Sequence, residues 1–333
     1  MMKLRHLFDN PALAEMLLKN WEFDETSLEL FQHFRISANA IYPFKKKGEV
    51  CFLRCCPISE KTKSNILAEL EFINYLRSSQ YNAMEPVPSR DGDELIQKST
   101  PWGEYYASVF KRVQGKQISE TDCSDDVMFA YGAALGQLHA LSSKYTTPKT
   151  QRWTHVNVFS WIEETLKSLV LETSPMDELN LLREYFSNVP INSKNYGLIH
   201  YDFELDNVFY DDSTKSCSVI DFDDAMYHWY VMDIVQTLDS LKSEVGENDF
   251  FHKQSVFIEG YRSRFDLDDD LFVTMPAFKR FANLYRYARV ARAIQEQWDN
   301  EPDWMVELRK KLSNALVKAS ESFGKEIEAS FTH

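Results

Sequence analysis

Residues 197–225, GLIHYDFELDNVFYDDSTKSCSVIDFDDA, constrain the fold more than any other stretch of the chain. An apolar lead-in, Gly197-Leu198-Ile199, runs into His200-Tyr201-Asp202-Phe203-Glu204-Leu205-Asp206-Asn207. Two β-prone runs follow, Val208-Phe209-Tyr210 and Cys217-Ser218-Val219-Ile220, and the polar residues between them read as a hairpin loop. Such a hairpin brings Asn207, just before its first strand, beside Asp221, just after its second, with Asp202 a few residues upstream. An amide and carboxylates that converge in this way form an oxygen-rich set. Mg²⁺ suits it, since that ion takes carboxylates together with substrate phosphates. The segment reads as an active site.

At 333 residues the chain is long enough for one large core or for two lobes that share a cleft. Its formal charge of −14 argues against nucleic acid as a partner, which would need a basic face. No basic-then-apolar leader opens the sequence, and no apolar run approaches about 18 residues. A cytoplasmic location with no membrane partner is the expectation. The five cysteines, Cys51, Cys55, Cys56, Cys123 and Cys217, are odd in number and lack ligand spacing, so they read as reduced structural thiols.

Taken in order, residues 11–20 predict a short helix behind Pro11. Leu28–Ile36, Ala40–Phe44 and Val50–Cys55 predict three strands, with the turn Lys45-Lys46-Lys47-Gly48 between the last two. Residues 61–79 predict a helix with Ile66, Leu70 and Ile73 on its apolar stripe. Glu69 lies on the flank of that stripe and wants a cationic partner, because an unpaired buried carboxylate is costly; Glu71 is the solvated alternative. Tyr105–Val113 predicts another strand. Helices are expected over 125–143, 159–171, 176–186, from Asp233 to about Leu241, over 255–262, 271–296 and 301–323. His139, on the first of these, reads as a packed helix histidine. Pro148–Thr154 reads as a polar connection that tolerates variation.

The series His200-x-Asp202-x₄-Asn207, hairpin, Asp221-Phe222 resembles the catalytic loop and metal-binding Asp-Phe-Gly of the protein-kinase superfamily. Its detail is similar to the aminoglycoside phosphotransferase (APH)-like branch, which includes choline, homoserine and methylthioribose kinases. The resemblance implies an α+β, bilobal protein-kinase-like fold. A small antiparallel-sheet lobe with one main helix would span residues 1–113 and bind nucleotide; a larger, mostly helical lobe would span 114–333 and carry the catalytic hairpin. It implies ATP and Mg²⁺, with Asp202 orienting the attacking hydroxyl and Asn207 and Asp221 holding the metal. Ser37 and Asn39 fall where that family covers the ATP phosphates, in a stretch without glycine. Arg54 takes the place of the third-strand lysine, with Glu69 as its partner. Adenine would dock on backbone near Phe110 to Val113. His200 would anchor the catalytic loop and Asp233 would brace it, as an N-cap or as a direct partner. Glu204, Asp206, Asp223 and Asp224 are candidates for holding the acceptor. Two motifs further along, Gly132-x₃-Gly136-x₂-His139 and Phe257-x₂-Gly260-Tyr261-Arg262, match helices of the same branch. Tyr201 departs from the usual glycine, and Asp223 replaces the glycine of Asp-Phe-Gly.

The expected activity is transfer of the γ-phosphate of ATP to a hydroxyl of a small, cationic molecule of the aminoglycoside, amino sugar or amino alcohol class. The alternatives are a protein Ser/Thr kinase of the same branch, disfavoured because no A-P-E segment follows Asp221, and a pseudokinase that acts as a binding or assembly protein.

Overall fold

A computed structural model describes residues 1–146, 148–169, 173–266 and 269–325. Asn10 starts α1 (Pro11–Leu18) by accepting the Leu13 N–H on its Oδ1 (3.0 Å), and proline follows as the first helical residue. The strand expected over Leu28–Ile36 is a 3₁₀ helix over Glu25–His33, and only Arg35–Ile36 pairs, as β1. The reason lies in the spacing. Leu28, Phe31 and Phe34 recur every third residue, the period of a 3₁₀ turn, and pack on the sheet core, Phe31 and Phe34 against Tyr42. β2 (Ala40–Lys46) and β3 (Glu49–Pro57) follow as expected, joined at Lys47-Gly48, whose φ angles are 54° and 82°. The Asp24 carboxylate accepts both N–H groups of that turn (2.9 and 2.8 Å).

Helix α2 (Lys63–Ser78) buries Ile66, Leu70, Phe72, Ile73 and Leu76, and also Glu69. β4 (Pro86–Val87), β5 (Ile96–Thr100) and β6 (Gly103–Lys111) complete an antiparallel sheet of order β1-β2-β3-β6-β4, with β5 also paired to β6. The rest of the chain is mostly helical: β7 (Lys116–Gln117), α3 (Asp125–Ser142), α4 (His155–Ser168), α5 (Ser174–Ser187), β8 (Tyr196–Ile199), β9 (Val208–Asp211), β10 (Ser216–Val219), β11 (Met226–Trp229), α6 (Val231–Arg262), α7 (Met275–Ile294) and α8 (Asp303–Ser320). The helix expected over 159–171 ends at Ser168, and residues 170–172 lie outside the described residues. The two helices expected from Asp233 and over 255–262 are one, α6, broken at Gly246 (φ 74°). A 3₁₀ turn, Asp269–Thr274, precedes α7.

Two motifs separated by more than a hundred residues form one contact. A Cβ on Gly132 would lie 1.9 Å from the Phe257 carbonyl oxygen, and one on Gly136 would lie 2.3 Å from that of Tyr261. From the other side, a Cβ on Gly260 would lie 2.1 Å from the Phe129 oxygen. Helices α3 and α6 therefore meet backbone against backbone, a distance only glycine permits. That approach delivers His139 to Tyr261 (Nδ1 to hydroxyl, 2.9 Å) and to Asp233 (Nε2 to Oδ2, 3.0 Å).

Residues 2–8 cross from the sheet to the C-terminal helices. The Met2 N–H donates to Ser37 O (2.9 Å), Lys3 and Arg5 both pair with Glu296, and His6 meets Glu60 (2.6 Å). Phe8 packs against Trp298 and Trp304, each ring centroid 5.7 Å away. All five cysteines are free and buried, and no helix among the described residues is long and apolar enough to cross a membrane.

His228, on β11, has no solvent exposure, and among the described residues neither ring nitrogen has a hydrogen-bond partner. Its neighbours are rings: His155, Phe186, Trp229, Phe278 and Phe281. Burial, then the charge of His155, pushes its pKa well below the usual imidazole value. Above about pH 6.5 the ring is neutral folded and unfolded, and no protonation energy is lost. Below that, the unfolded chain takes a proton that the folded one refuses, and stability falls by about 1.4 kcal/mol per pH unit until the folded pKa is reached. His228→Phe should therefore be more stable than the parent chain, and its advantage in urea unfolding should grow by about 1 kcal/mol between pH 7.5 and 5.5. Equal pH dependence in the two proteins would count against this.

Candidate active site

The hairpin forms in the expected register, Val208 opposite Val219 and Asp211 opposite Ser216. The Ile220 N–H donates to Asn207 O (3.0 Å), so Asn207 and Asp221 stand at adjacent positions on the paired strand ends. β8 pairs with β11, Ile199 opposite Met226, which draws the start and the end of the segment together. Asp233, in the first turn of α6 and fully buried, holds the loop from behind. It is a direct partner, not the N-cap, a position held by Tyr230. Asp233 Oδ2 accepts the His200 N–H (2.9 Å) and Oδ1 accepts the Tyr201 N–H (2.6 Å).

His200 has no exposure, and its two partners define its tautomer. Nε2–H donates to Ile220 O (2.9 Å), while Nδ1 accepts the Asp202 N–H (3.2 Å). Burial keeps the ring neutral by lowering its pKa. Tyr201 occupies the left-handed region (φ 69°), where a bulky residue costs of order 1–3 kcal/mol. Its backbone thus keeps the conformation a glycine would supply, and its ring packs on Tyr285 (5.5 Å). The carbonyl of Phe203 accepts from Tyr131 (2.7 Å) and Thr237 (2.9 Å).

Asn207 Nδ2 donates to both Asp202 O and Asp202 Oδ2 (3.0 Å each), which orients the Asp202 carboxylate and, among the described residues, leaves the Asn207 amide oxygen without a hydrogen bond. Burial, then Asp224, Glu204 and Asp221, raises the Asp202 pKa well above its usual value. Asp221 adopts φ 61° and its N–H donates to the Met84 sulfur (3.2 Å). Burial, then Asp223, pushes its pKa up as well. Two half-buried carboxylates that resist ionisation, beside the Asn207 amide oxygen, are a site short of a cation, and oxygen donors suit a hard one. Among the described residues no three or more His, Cys, Asp or Glu converge as a complete ligand set. Asn207 and Asp221 would thus share a divalent ion with the phosphates of a nucleotide.

On the sheet side, Arg54 and Glu69 form a two-pronged pair (2.7 and 2.8 Å) with little or no exposure. Glu71, expected to face water, instead accepts from Tyr145, Lys149 and Thr150 and ties α2 to the connection before α4. Asn39 is buried and Ser37 exposed; Ser37 enters only backbone bonds, with Met2 and Asn39. Phe110 is not at a free edge: β3 and β4 flank it on both sides, and its ring lies under the Arg54 guanidinium (4.7 Å). Its backbone is therefore committed to the sheet, whereas Val113 lies just past the strand.

Four residues of this site carried no signal in the sequence. Lys61 bonds Asn39 Oδ1 (2.7 Å) and Asp223, and Arg289 on α7 pairs with Asp224 (2.6 Å). Arg292 pairs with Glu60 (2.9 Å). Arg152, in the connection expected to tolerate variation, is buried and donates to the carbonyls of Asn65, Phe222, Asp223 and Ala225, clamping the chain after Asp221. The Asp223 carboxyl is held below its usual pKa: burial opposes ionisation, and Lys61 and then Arg54 overcome it. A cavity of ≈ 460 Å³ opens beside Asp223 and Asp224, walled by Trp153, Trp161, Met226, Tyr285 and Arg289. Glu204 and Asp206 do not line it.

With this geometry in hand, the sequence matches the phosphotransferase enzyme family (APH) over residues 39–264. The chain belongs to that family. It is similar to the amicoumacin kinase of Bacillus subtilis (strain 168), 24% identical over 272 residues that cover 75% of this chain and 76% of that protein. Its fold is similar to that of amicoumacin kinase hAmiN in complex with AMP-PNP, Ca²⁺ and Ami (TM-score 0.75, 20% identity, 96% of each chain). It is also similar to that of a microcompartment-associated aminopropanol kinase (TM-score 0.65, 19% identity, 96% of this chain and all of that one). The APH fold is thus the bilobal, protein-kinase-like one expected. As a member, this chain is a kinase-type phosphotransferase with a hydroxyl group of a small molecule as acceptor.

Asp233→Ala should strip the acceptor from two loop N–H groups and from His139, all buried. A loss of about 3–5 kcal/mol in denaturant unfolding is expected, typical of leaving buried polar partners unpaired. A loss below about 1 kcal/mol would show that the loop is held otherwise.

Proposed function

We propose that this APH-family protein transfers the γ-phosphate of Mg·ATP to a hydroxyl of a small amine that carries an apolar, ring-bearing body. The reading rests on one observation above others, the cavity beside Asp224. At ≈ 460 Å³ it suits a ligand of drug size, more than an amino alcohol of a few atoms would fill. Trp153, Trp161 and Tyr285 offer flat apolar faces, on which an acceptor ammonium also gains cation–π contact. The carboxylates that would attract a cation, Glu60, Asp223 and Asp224, are each already met by a protein cation. A polycation would therefore have to displace those partners, and the aromatic walls favour a singly or doubly charged amphipathic acceptor. Of the relatives named above, the aminopropanol kinase carries in its name a short amino alcohol instead, the class against which this reading has to be tested.

In this reading residues 1–113 bind nucleotide and residues 114–333 supply the catalytic loop, with the strand–loop junction after β6 as the boundary and both parts lining the acceptor cavity, Ile58 and Ile66 from the first, Trp153 and Trp161 from the second. Asn207 and Asp221 hold Mg²⁺, which when bound neutralises charge on the ATP phosphates. Asp202 orients the acceptor hydroxyl and takes its proton; the raised pKa fits that task, because a stronger base holds the proton better. Asn207 keeps the Asp202 carboxylate aimed. His200 and Asp233 fix the loop and touch no substrate. Tyr201 does not argue for a dead enzyme, since its backbone holds the left-handed conformation the loop needs.

An ATP-consumption screen over ring-bearing hydroxylated amines, aminoglycosides and short amino alcohols tests the assignment. The first class should give the highest kcat/KM, and Asp202→Ala should lower it by about 10²–10⁴-fold. Turnover equal in the Asp202 variant would remove that residue from its role. Best turnover with short amino alcohols would overturn the pocket argument.

A further inference from the structure

Asn39, Lys61 and Asp223 come from three separate segments and close a ring of hydrogen bonds. Lys61 Nζ donates to Asn39 Oδ1 (2.7 Å) and to Asp223 Oδ2, and Asn39 Nδ2 donates to the same Asp223 oxygen (3.3 Å). Asn39 precedes β2, where the phosphate loop falls. Lys61 lies between β3 and α2, and Asp223 is two residues past Asp221. The Lys61 and Asp223 side chains are only 16% and 9% exposed. Arg54, the base paired with Glu69, adds a second positive charge that acts on Asp223. Beside them, Ser108 Oγ is buried without a hydrogen-bond partner, and it lines the same small cavity as Asn39, Arg54, Lys61 and Asp223.

An ammonium and an amide N–H₂ turned on one anionic oxygen, with the charge of a guanidinium acting on it from nearby, are what a phosphate oxygen requires. Here the anion they surround is a side chain of the protein. A lysine needed only to neutralise Asp223 would have no reason to bond Asn39 as well, and Arg289 shows how the neighbouring Asp224 is met by a single cation. Nor does Lys61 stand at the strand position where kinases carry their phosphate lysine, which Arg54 fills. The chain thus has two cations on the nucleotide side of its cleft.

We propose that Lys61, together with Asn39, is a nucleotide-phosphate ligand, and that Asp223 is an internal anion that competes with the phosphate for it. The proposal rests on the reading of this cleft as the Mg·ATP site. Binding of phosphate oxygens draws Lys61 and Asn39 away from Asp223, so a carboxylate two residues past Asp221 changes partner as the nucleotide enters. Replacing Lys61 should therefore weaken binding in proportion to the phosphates present.

Calorimetry on the full chain, with a non-hydrolysable ATP analogue and Mg²⁺ and, separately, with adenosine, tests this. Lys61→Met should weaken the analogue by roughly 10- to 100-fold, the size of one lost charge-assisted hydrogen bond, and leave adenosine within about twofold. Asp223→Asn should bind the analogue at least as tightly as the parent, and Lys61→Met on that background should still weaken it. Lys61→Arg should recover part of the loss, which shows that the site tolerates change. Equal weakening of adenosine and analogue would overturn the proposal, as would a double variant that binds like Asp223→Asn alone, because Lys61 would then act only through Asp223. Weaker binding by Asp223→Asn would overturn the competition. A parent chain that binds adenosine but gains nothing from Mg²⁺ and phosphates would sink the Mg·ATP reading itself.

Discussion

Asp233 accepts hydrogen bonds from His139, His200 and Tyr201 without any contact with water. Each of the three donors belongs to a different problem. His139 reports the close approach of α3 and α6, His200 carries the backbone of Asp202, and Tyr201 holds a backbone conformation that only its surroundings make tolerable. One carboxylate thus converts helix packing into the position of a catalytic loop. A buried charge is costly unless every lone pair is used, so the arrangement is close to all-or-none: it forms with its partners or not at all.

The same accounting explains which carboxylates do chemistry. The cleft gathers many acids, and most have a cation of their own: Glu69 has Arg54, Asp223 has Lys61, Asp224 has Arg289, and Glu60 has Arg292 with His6. Among the described residues Asp202 and Asp221 have none. Burial raises the pKa of both, as it does for their neighbour Glu204, and they stand where the proposed reading places a metal ion and a hydroxyl. On that reading, pairing separates structural acids from reactive ones more sharply than residue type does.

This separation marks the limit of what was legible from sequence. The hairpin, its register and the Arg54–Glu69 pair could be read because each follows from local spacing or from an apolar stripe that a charge interrupts. His139 could be read as packed for the same reason. Arg152, Lys61, Arg289 and Arg292 could not: each lies in a loop or on an ordinary mixed helix face, and only tertiary structure shows whose carbonyl or carboxylate it meets. The stretch Leu28–Phe34 misled because three apolar residues in a short run suit a strand as well as a three-residue turn. The flanking of Phe110 was hidden for a related reason, since a backbone's free edge depends on which strands lie beside it, and the two-residue β4 leaves almost no trace in sequence.

The glycine contacts between α3 and α6 have a consequence for how the protein can change. Where backbones touch, no side chain exists to be exchanged for a smaller or larger one, and a single methyl at Gly132, Gly136 or Gly260 would collide with a main-chain oxygen. The seam is therefore closed to gradual variation. The cavity beside Asp224 is not: Trp153, Trp161 and Tyr285 line it, and one ring can be exchanged for another side chain. On the proposed reading of that cavity, new acceptor preferences can be reached by altering those rings while the frame behind the catalytic loop stays unaltered, which makes this a scaffold whose seam is fixed and whose clientele is negotiable.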